Sequence, residues 1–403
     1  GAELHQVASE SAVQPGTFYA DYAGNRLVIG SNPVGHEVRG SDLAQAVKVS
    51  TSNVTLRGFG VRRYATSLPL IGTVRIDGNN NVLRDLVITD NATQGLSFRQ
   101  SGNLVDHLAV TYNGMTGIHA NVADGLTIRN SVVDHNNAQQ FNAAPSAAGA
   151  KITRSRHLTI TNDSFDDNAA AGLWFDQCDV YFTVANNSFQ GDYIAVQLEM
   201  ADTGIVANNV FRSGKYGLYV FDTGNVGVCN NSFADHSVGA VLMSQDQRRQ
   251  SDPTAYQRDG DSRYPPGDAT NPWLLRNVVV ANNMFISDST AGMFQVYALD
   301  KRTNIPADAM NLTISGNYFR HRDTSAQPSM VGWGGSDNVT VTRYESPDAL
   351  STAKNGKWRN AQAPTGMQAA ARITVDQSIA SPLPGDVAAA VGQPAGTQHI
   401  GTF

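Results

Sequence analysis

Cysteine is scarce in this sequence: only Cys178 and Cys229 occur among 403 residues. Two cysteines cannot build the framework of several disulfides that holds small secreted domains together. The two residues also fall in different parts of the repeat described below. We therefore expect both to be unpaired side chains with a structural role.

The sequence also lacks an excess of positive charge and any long apolar run. Lys and Arg total 29 against 35 Asp and Glu, a formal net charge of −6, which argues against nucleic-acid and anionic-membrane partners. No apolar run reaches the roughly 18 residues that a membrane helix needs. No signal peptide is visible, and a start at Gly1 without Met leads us to expect a mature or trimmed chain.

What the sequence does contain is an internal repeat of alternating apolar and polar residues, which is the period of a β-strand. The clearest copies are LTITNDSF from residue 158, FTVANNSF from 182, GIVANNVF from 204, VGVCNNSF from 226, VVVANNMF from 278 and LTISGNYF from 312. Weaker copies are VTLRGFGV from 54, VLRDLVIT from 82, LVDHLAVT from 104, LTIRNSVV from 126 and VTVTRY from 339.

A repeat this short, with several strands and no helical pattern, cannot bury its own apolar face, but stacked copies can. We therefore predict an all-β fold, a right-handed parallel β-helix solenoid of about eleven coils. A leucine-rich repeat would need a helical half, which is missing. A phenylalanine recurs at the same place in the clearest copies, which predicts an internal stack of Phe165, Phe189, Phe211, Phe233, Phe285 and Phe319. An asparagine that recurs at the turn of the copies predicts left-handed turn residues at Asn162, Asn186, Asn208, Asn230 and Asn282.

The repeat divides the chain into three segments. Residues 1–49 are predicted to cap the solenoid, with a β-hairpin at 18–30 around Gly24-Asn25. Residues 50–345 form the β-helix, with insertions near 136–149 and 244–273. Residues 346–403 form a C-terminal tail with a short helix. Insertions of this length in a compact domain are usually functional or disordered.

Acidic residues recur at the ends of three successive strands, GLWFDQC, AVQLEMA and GLYVFDT. When the strands are aligned on their leading small residue, the second and fourth following positions face outward. The first outward column reads Ser97, His119, Lys151, Trp174, Gln197 and Tyr219. The second reads Arg99, Asn121, Thr153, Asp176, Glu199 and Phe221, with Asp222 one step beyond it at a bulge or strand end.

Paired carboxylates at this spacing indicate glycoside hydrolysis, in which one carboxyl protonates the leaving oxygen and the other is nucleophile or base. The predicted catalytic residues are Asp176, Glu199 and Asp222. Asp176 with Glu199 would suit a retaining pair, and Asp176 with Asp222 an inverting pair. The predicted substrate-binding residues are Lys151, Trp174, Gln197, Tyr219, His119, Arg99, Arg248 and Arg249. Since outward side chains fill no core volume, replacing the acids is expected to change stability little.

The LTI.N..F coils and the opening GTFYADYAGNRLVIG resemble the pectate-lyase-like superfamily of secreted bacterial carbohydrate-active β-helix proteins, over about residues 50–345. The resemblance implies a polysaccharide or oligosaccharide partner and a secreted or cell-surface location. The superfamily includes polysaccharide lyases, glycoside hydrolases and mannuronan epimerases. The Asp-Pro-His-His motif of the epimerases and the Asn-Thr-Asp, Asp-Asp and Gly-His-Gly set of polygalacturonases are not found, so the resemblance implies no specific activity.

Three functions stay open at this point. The leading one is a glycoside hydrolase that needs neither cofactor nor metal. The second is a polysaccharide lyase or C5-epimerase on uronic-acid polymers, with Lys151 or His119 as base and Arg99 or bound Ca²⁺ neutralising the substrate carboxylate. The third is a non-catalytic glycan-binding solenoid.

Overall fold

The structure, a computed structural model, describes residues 3–67, 71–246, 248, 272–287, 294–300, 304–321, 329–337, 339–363 and 374–403. The chain divides into two compact units, Gly1–Asp42 and Leu43–Phe403.

The first unit holds a three-stranded sheet of His5–Gln6, Thr17–Asp21 and Arg26–Ile29, with a short 3₁₀ turn at Glu10–Ala12. The last two strands pair antiparallel, and Asn25 between them has a left-handed φ of 49°. The predicted hairpin is therefore present. Its role as a cap of the solenoid stays a prediction.

The second unit is a stack of coils whose strands form three sheets. Sheet 1 contains, in the described residues, the strands Val47–Val49, Val74–Ile76, Gln94–Phe98, Thr116–Asn121, Ala148–Thr153, Ala171–Asp176, Ile194–Glu199, Tyr216–Phe221, Gly239–Gln245, Phe294–Asp300, Ser329–Gly334 and Val341–Tyr344. Sheet 2 contains Thr55–Arg57, Val82–Arg84, Leu104–Asp106, Thr127–Arg129, Arg156–Thr161, Val180–Ala185, Asp202–Ala207, Gly224–Cys229, Arg276–Ala281 and Thr313–Ser315.

Sheet 3 consists of two runs of strands that are joined through single bridges from Val132 to Ala109 and Ser164. The runs are Gly60–Arg62, Val87–Thr89 and Ala109–Thr111, then Ser164–Asp166, Ser188–Gln190, Val210–Arg212, Ser232–Ala234, Met284–Ser287, Tyr318–His321 and Ala361–Gln362. In sheet 1 only Val341–Tyr344, among the described strands, pairs antiparallel. The predicted parallel β-helix is therefore confirmed, while its number of coils stays a prediction.

The predicted phenylalanine stack fills the interior. The rings of Phe165, Phe189, Phe211, Phe233, Phe285 and Phe319 lie 4.5 to 5.2 Å apart between successive centroids. All are buried. Contacts of this kind add stabilisation beyond the burial of apolar area, so the stack fixes the register of one coil on the next.

The predicted turn residues are also confirmed. Asn162, Asn186, Asn208, Asn230 and Asn282 have φ values of 59°, 61°, 56°, 56° and 59°. The sequence analysis missed a buried ladder beside these turns. Its members are Asn187, Asn209, Asn231 and Asn283, which follow four of the turn residues, and Asn317, which follows Gly316. Each side-chain amide donates to the carbonyl oxygen of the next side chain, at 3.0 to 3.1 Å, and Asn317 donates to Asn360.

The C-terminal segment lies along the turns of several coils. The predicted short helix is Pro347–Ala353, capped by the Ser346 hydroxyl. A second helix, Gly385–Ala390, packs against Ala207, Cys229 and Ala281. Neither Cys178 nor Cys229, both of which the structure describes, forms a disulfide, as predicted, and both are buried.

Shorter helical elements are Ala143–Ser146 in the first insertion and the 3₁₀ turns Ala307–Met310 and Gln377–Ile379. Within the described ranges, no helix has the length and apolar character needed to cross a membrane.

Candidate active site

The two outward columns of sheet 1 have the predicted register. His119 pairs with Lys151, Lys151 with Trp174, Trp174 with Gln197, and Gln197 with Tyr219. In the second column, Thr153 pairs with Asp176 and Glu199 with Phe221. Asp222 follows the last residue of its strand and has a left-handed φ of 50°, so the predicted departure from the column is a strand end.

The central part of this face is not open to water, however. Asp176 is 7% exposed, Glu199 8% and Asp222 0%. Side chains of the same face and Arg248, from the second insertion, contact the acids, and the first insertion contacts Lys151. The outward positions are therefore covered, and each acid has an identified partner.

Asp176 is paired with Lys151. The ammonium nitrogen of Lys151 lies 2.7 Å from Asp176 Oδ2 and donates to the carbonyl oxygen of Pro145, in the first insertion, at 2.6 Å. The same nitrogen lies 3.2 Å from the centroid of the Trp174 ring. Because removing one member of a buried ion pair strands the other charge, this pair is costly to break.

Glu199 is held by donors on three sides. Its Oε2 accepts from the Trp174 indole at 3.1 Å and from the Gln197 amide at 2.7 Å, and its Oε1 pairs with Arg248. Trp174 and Gln197, which the sequence suggested as substrate-binding residues, therefore orient an acid in this structure. All three neighbours donate to the carboxyl oxygens of Glu199 and so fix its orientation.

Arg248 joins Glu199 to the next acid along the stack. One guanidinium nitrogen pairs with Glu199, the second lies 3.0 Å from Asp222 Oδ2, and Nε lies 3.1 Å from Asp246 Oδ2. The guanidinium carbon lies 4.4 Å from the centroid of the Phe221 ring. A single cation from the second insertion thus touches three carboxyl groups.

Asp222 is the acid with the clearest electrostatic perturbation. Its Oδ1 accepts from the Gln245 amide and from the Asp246 backbone N–H, both at 2.8 Å. Burial, supported by the neighbouring Asp246 carboxyl and opposed by Arg248, raises the pKa of Asp222 to about 8. Asp222 therefore carries a proton at neutral pH.

The basic residues at the other end of the face are separate from the acids. Burial, followed by the charges of Lys151 and Arg99, lowers the pKa of His119 to about 4, so its imidazole is neutral at pH 7. Within the described residues, neither His119 nor Arg99 makes a hydrogen bond or ion pair with Asp176, Glu199 or Asp222. His119 is close enough to Lys151 for their charges to interact.

Tyr219 lies beside the acids as predicted. It is half-buried, its ring is 5.2 Å from that of Phe221 between centroids, and burial raises its pKa to about 12. Arg249 and nearly all of the second insertion lie outside the described residues. The strand Gly239–Gln245 includes Ser244 and Gln245, which pair with Leu299 and Asp300 of the next coil. The insertion that was predicted to begin near residue 244 therefore begins after Gln245.

The sequence analysis missed Asp246, Gln245 and the carbonyl of Pro145. The polar run SQDQR, which begins in the last two residues of a strand of this face, was the available signal for the first two. Among the described residues, no group of three or more His, Cys, Asp or Glu is arranged to hold a metal ion.

Residues 72–247 match the family model described as a right handed beta helix region. The structure of XylC in complex with xylose is similar, with a TM-score of 0.55 and 13% identity over 81% of this chain; this chain covers 65% of that one. Pectate lyase Pel9A is 14% identical over 70% of this chain and 71% of its own, with a TM-score of 0.41. The A-module of Azotobacter vinelandii mannuronan C-5 epimerase AlgE4 is 13% identical over 79% of this chain and 90% of its own, with a TM-score of 0.39.

No curated protein matches the sequence significantly. At these identities the similarity shows the fold alone. The fold stated from the resemblance, a right-handed parallel β-helix, is thereby confirmed, and no specific activity family is matched.

Proposed function

Because the chain is a right-handed parallel β-helix whose outer face gathers several acids, we propose that it is a glycan-cleaving enzyme, and specifically a glycoside hydrolase. The observation that carries the proposal is the contact of one guanidinium, that of Arg248, with Glu199 and Asp222 together. One of these groups is surrounded by donors, and the other holds a proton at neutral pH.

The two states fit the two roles of glycoside hydrolysis. Asp222, with a pKa of about 8, would protonate the leaving glycosidic oxygen, and Glu199 would act as nucleophile or base. The two residues come from neighbouring coils, which suits the roughly 5 Å separation of a retaining pair. Trp174 and Gln197 would fix the direction in which Glu199 points.

Arg248 must move for this chemistry, because it covers both acids. When a glycan displaces the guanidinium from Glu199, its donors become available for sugar hydroxyls, and the Asp222 side chain becomes accessible. This assigns Arg248 to substrate binding, as the sequence suggested. Asp176 is the other candidate for the second carboxyl group, but its charge is already matched by Lys151.

The test uses soluble xylan, chosen because XylC binds xylose, together with polygalacturonate and alginate for the uronic-acid alternative. New reducing ends without an unsaturated, ultraviolet-absorbing product are expected for a hydrolase. Glu199→Gln and Asp222→Asn should each lower turnover by about a hundredfold or more, the usual scale of general acid–base loss. Asp176→Asn should lower it less.

The outcomes separate the candidates. Equal losses in Asp176→Asn and Asp222→Asn would move the acid role to Asp176. An ultraviolet-absorbing product would replace hydrolysis by a lyase. If no polymer yields a product, the non-catalytic glycan-binding solenoid is the candidate that remains.

A polysaccharide lyase or C5-epimerase is the second candidate, favoured by one observation. His119 is neutral at pH 7, the form that a general base requires, and it lies in register beside Lys151. Lys151 itself is bound to Asp176 and is the poorer base. In this case His119→Gln should abolish the unsaturated product from uronic-acid polymers, or the epimerisation, while Glu199→Gln should not.

Both candidates act on polymers found outside cells, so we also propose a secreted or cell-surface location. Detection of the protein in the medium or on the surface of its source cells is expected. Retention inside the cell would contradict it.

A further inference from the structure

Four aromatic rings form a continuous path on the outside of sheet 1, ending at the proposed catalytic acids. Successive ring centroids are 6.4 Å apart for Tyr193 and Tyr216, 5.9 Å for Tyr216 and Tyr219, and 5.2 Å for Tyr219 and Phe221. Phe221 in turn lies against Arg248. We call Tyr193, Tyr216, Tyr219, Phe221 and the adjacent Lys215 the aromatic ledge.

The inner part of the ledge has a structural explanation. Tyr216 and Tyr219 are half-buried and pack against an apolar cluster of Ala148, Ala171, Trp174 and Ile194. Large rings are expected beside the two alanines, whose small side chains leave room for them. This packing makes a firm base, but it does not account for the outer end of the path.

The outer end has no such explanation. Tyr193 is 48% exposed, so its ring buries little apolar area where it lies. Its hydroxyl nevertheless accepts a hydrogen bond from the Lys215 ammonium at 2.8 Å. That ammonium lies 4.8 Å from the Tyr193 ring centroid and 5.5 Å from that of Tyr216. Single exposed apolar residues are ordinary, but a run of rings held by a cation and leading to an acid cluster is not.

We infer that the aromatic ledge is a glycan-binding subsite, which holds pyranose units of the polymer beside Arg248 and Glu199. Flat rings offer a surface to the C–H face of a sugar, and the tyrosine hydroxyls and the Lys215 ammonium offer hydrogen bonds to its hydroxyl groups. The ligand class rests on the proposed function, and continuity through Phe221 with Arg248 is what connects the two.

The test is affinity electrophoresis in native gels that contain xylan, polygalacturonate or alginate. The Glu199→Gln background is used so that binding is measured without cleavage. We expect retardation by at least one polymer, and a rise of about tenfold in its apparent dissociation constant on adding Tyr193→Ala. Lys215→Met should cause a smaller rise.

Tyr112 provides the matched control. It is 49% exposed and stacks on His135, at 4.7 Å between centroids, away from sheet 1. Tyr112→Ala should leave retardation unchanged.

The outcomes of the two proposals are distinguishable. Retardation that depends on Tyr193, with no cleavage by the wild-type protein, would keep the ledge and reject the hydrolase. Cleavage by the wild-type protein, with retardation and KM unchanged by Tyr193→Ala, would reject the ledge and keep the hydrolase. Absence of retardation in every gel, or an equal loss in the Tyr112 control, would also overturn the ledge.

Discussion

The buried asparagine ladder and the outward column of sheet 1 that contains Asp176 and Glu199 both place one side chain on each coil. Only in the ladder do these side chains hydrogen-bond to one another. In the ladder, Asn209, Asn231 and Asn283 are equivalent, and each satisfies the next. In the column, Asp176 and Glu199 follow each other, and neither can bond to the other because carboxylates only accept.

The difference lies in the hydrogen-bond partners that the two types of side chain require. An amide has a donor end and an acceptor end, so each ladder residue bonds to a like residue on the coil before and the coil after, and its other hydrogen bonds go to the backbone. A carboxylate needs a cation or a donor, so Asp176 recruits Lys151, and Glu199 recruits Trp174, Gln197 and Arg248. The acids of the column depend on other types of side chain for their hydrogen bonds and ion pairs. A ligand with hydrogen-bonding groups can compete with the acids for these partners.

Breaking the ladder should have the largest effect on stability. Asn231→Ala removes the donor to the Val206 carbonyl and Asn283 Oδ1, and the acceptor of Asn209. Because it leaves several buried groups unpaired, we expect a loss of about 3–5 kcal/mol in the free energy of unfolding. Denaturant unfolding followed by circular dichroism measures it.

The matched control is Asn162→Gly, at an exposed left-handed turn position. It should cost less than about 1 kcal/mol, because glycine tolerates that conformation. A cost for Asn231→Ala no larger than this would show that the ladder is not a main source of stability.

Converting an acid into a ladder residue should have the next largest effect, and it depends on pH. Asp163 occupies the ladder position before Asn187, its Oδ2 is buried without a hydrogen-bond partner, and burial raises its pKa to about 8. The native state therefore keeps a proton that the unfolded chain releases above about pH 4, so stability falls as the pH rises from about 4 to 8.

Asp163→Asn should remove that loss. We expect little change in the free energy of unfolding near pH 4 and an increase of a few kcal/mol, on the order of 2–4, near pH 8. Asp167→Asn, with a well exposed side chain, is the control and should show neither. An Asp163→Asn variant with an unchanged pH profile would mean that Asp163 is ionised in the native state.

Breaking the outer column should affect stability least. Lys151→Met strands Asp176, but the two side chains keep some contact with water, at 5% and 11% exposure. We therefore expect a cost of about 1–3 kcal/mol, below that of a fully buried pair. The double variant Lys151→Met/Asp176→Asn should recover part of it. Calorimetry of the two single variants and the double variant gives the coupling. Strictly additive costs would contradict the pairing.

The fold was predictable because its two main stacks repeat in the sequence. Phe189 and Phe211 recur at a fixed place, and so do the turn residues Asn186 and Asn208. The buried ladder was missed, although the doublets Asn186-Asn187 and Asn208-Asn209 carry both functions: the first residue makes the turn, and the second bonds inward. Asn162-Asp163 is the same doublet with an acid in the second place.

The columns of the candidate site were predictable from the period of two, but the partners of the acids were not. That Trp174 and Gln197 turn toward Glu199, rather than toward solvent, depends on χ angles that no pattern encodes. Arg248 reaches Glu199 because a long insertion leaves the stack at Gln245, and the path of such an insertion does not follow from the repeat. The hydrogen bond from Lys151 to the Pro145 carbonyl oxygen was not predictable for the same reason, because Pro145 lies in the first insertion.

The C-terminal segment has a consequence for how the protein is made. Asn282 bonds to Ser381, Asn230 to the carbonyl of His399, and Asn208 to the backbone N–H of Phe403. The last contact joins residues 195 positions apart. At 5–20 residues per second, the ribosome needs about 10 to 40 seconds to synthesise that interval. Coils that stack early are therefore expected to keep water in place of these partners until residues 381–403 leave the ribosome and bond to the turns.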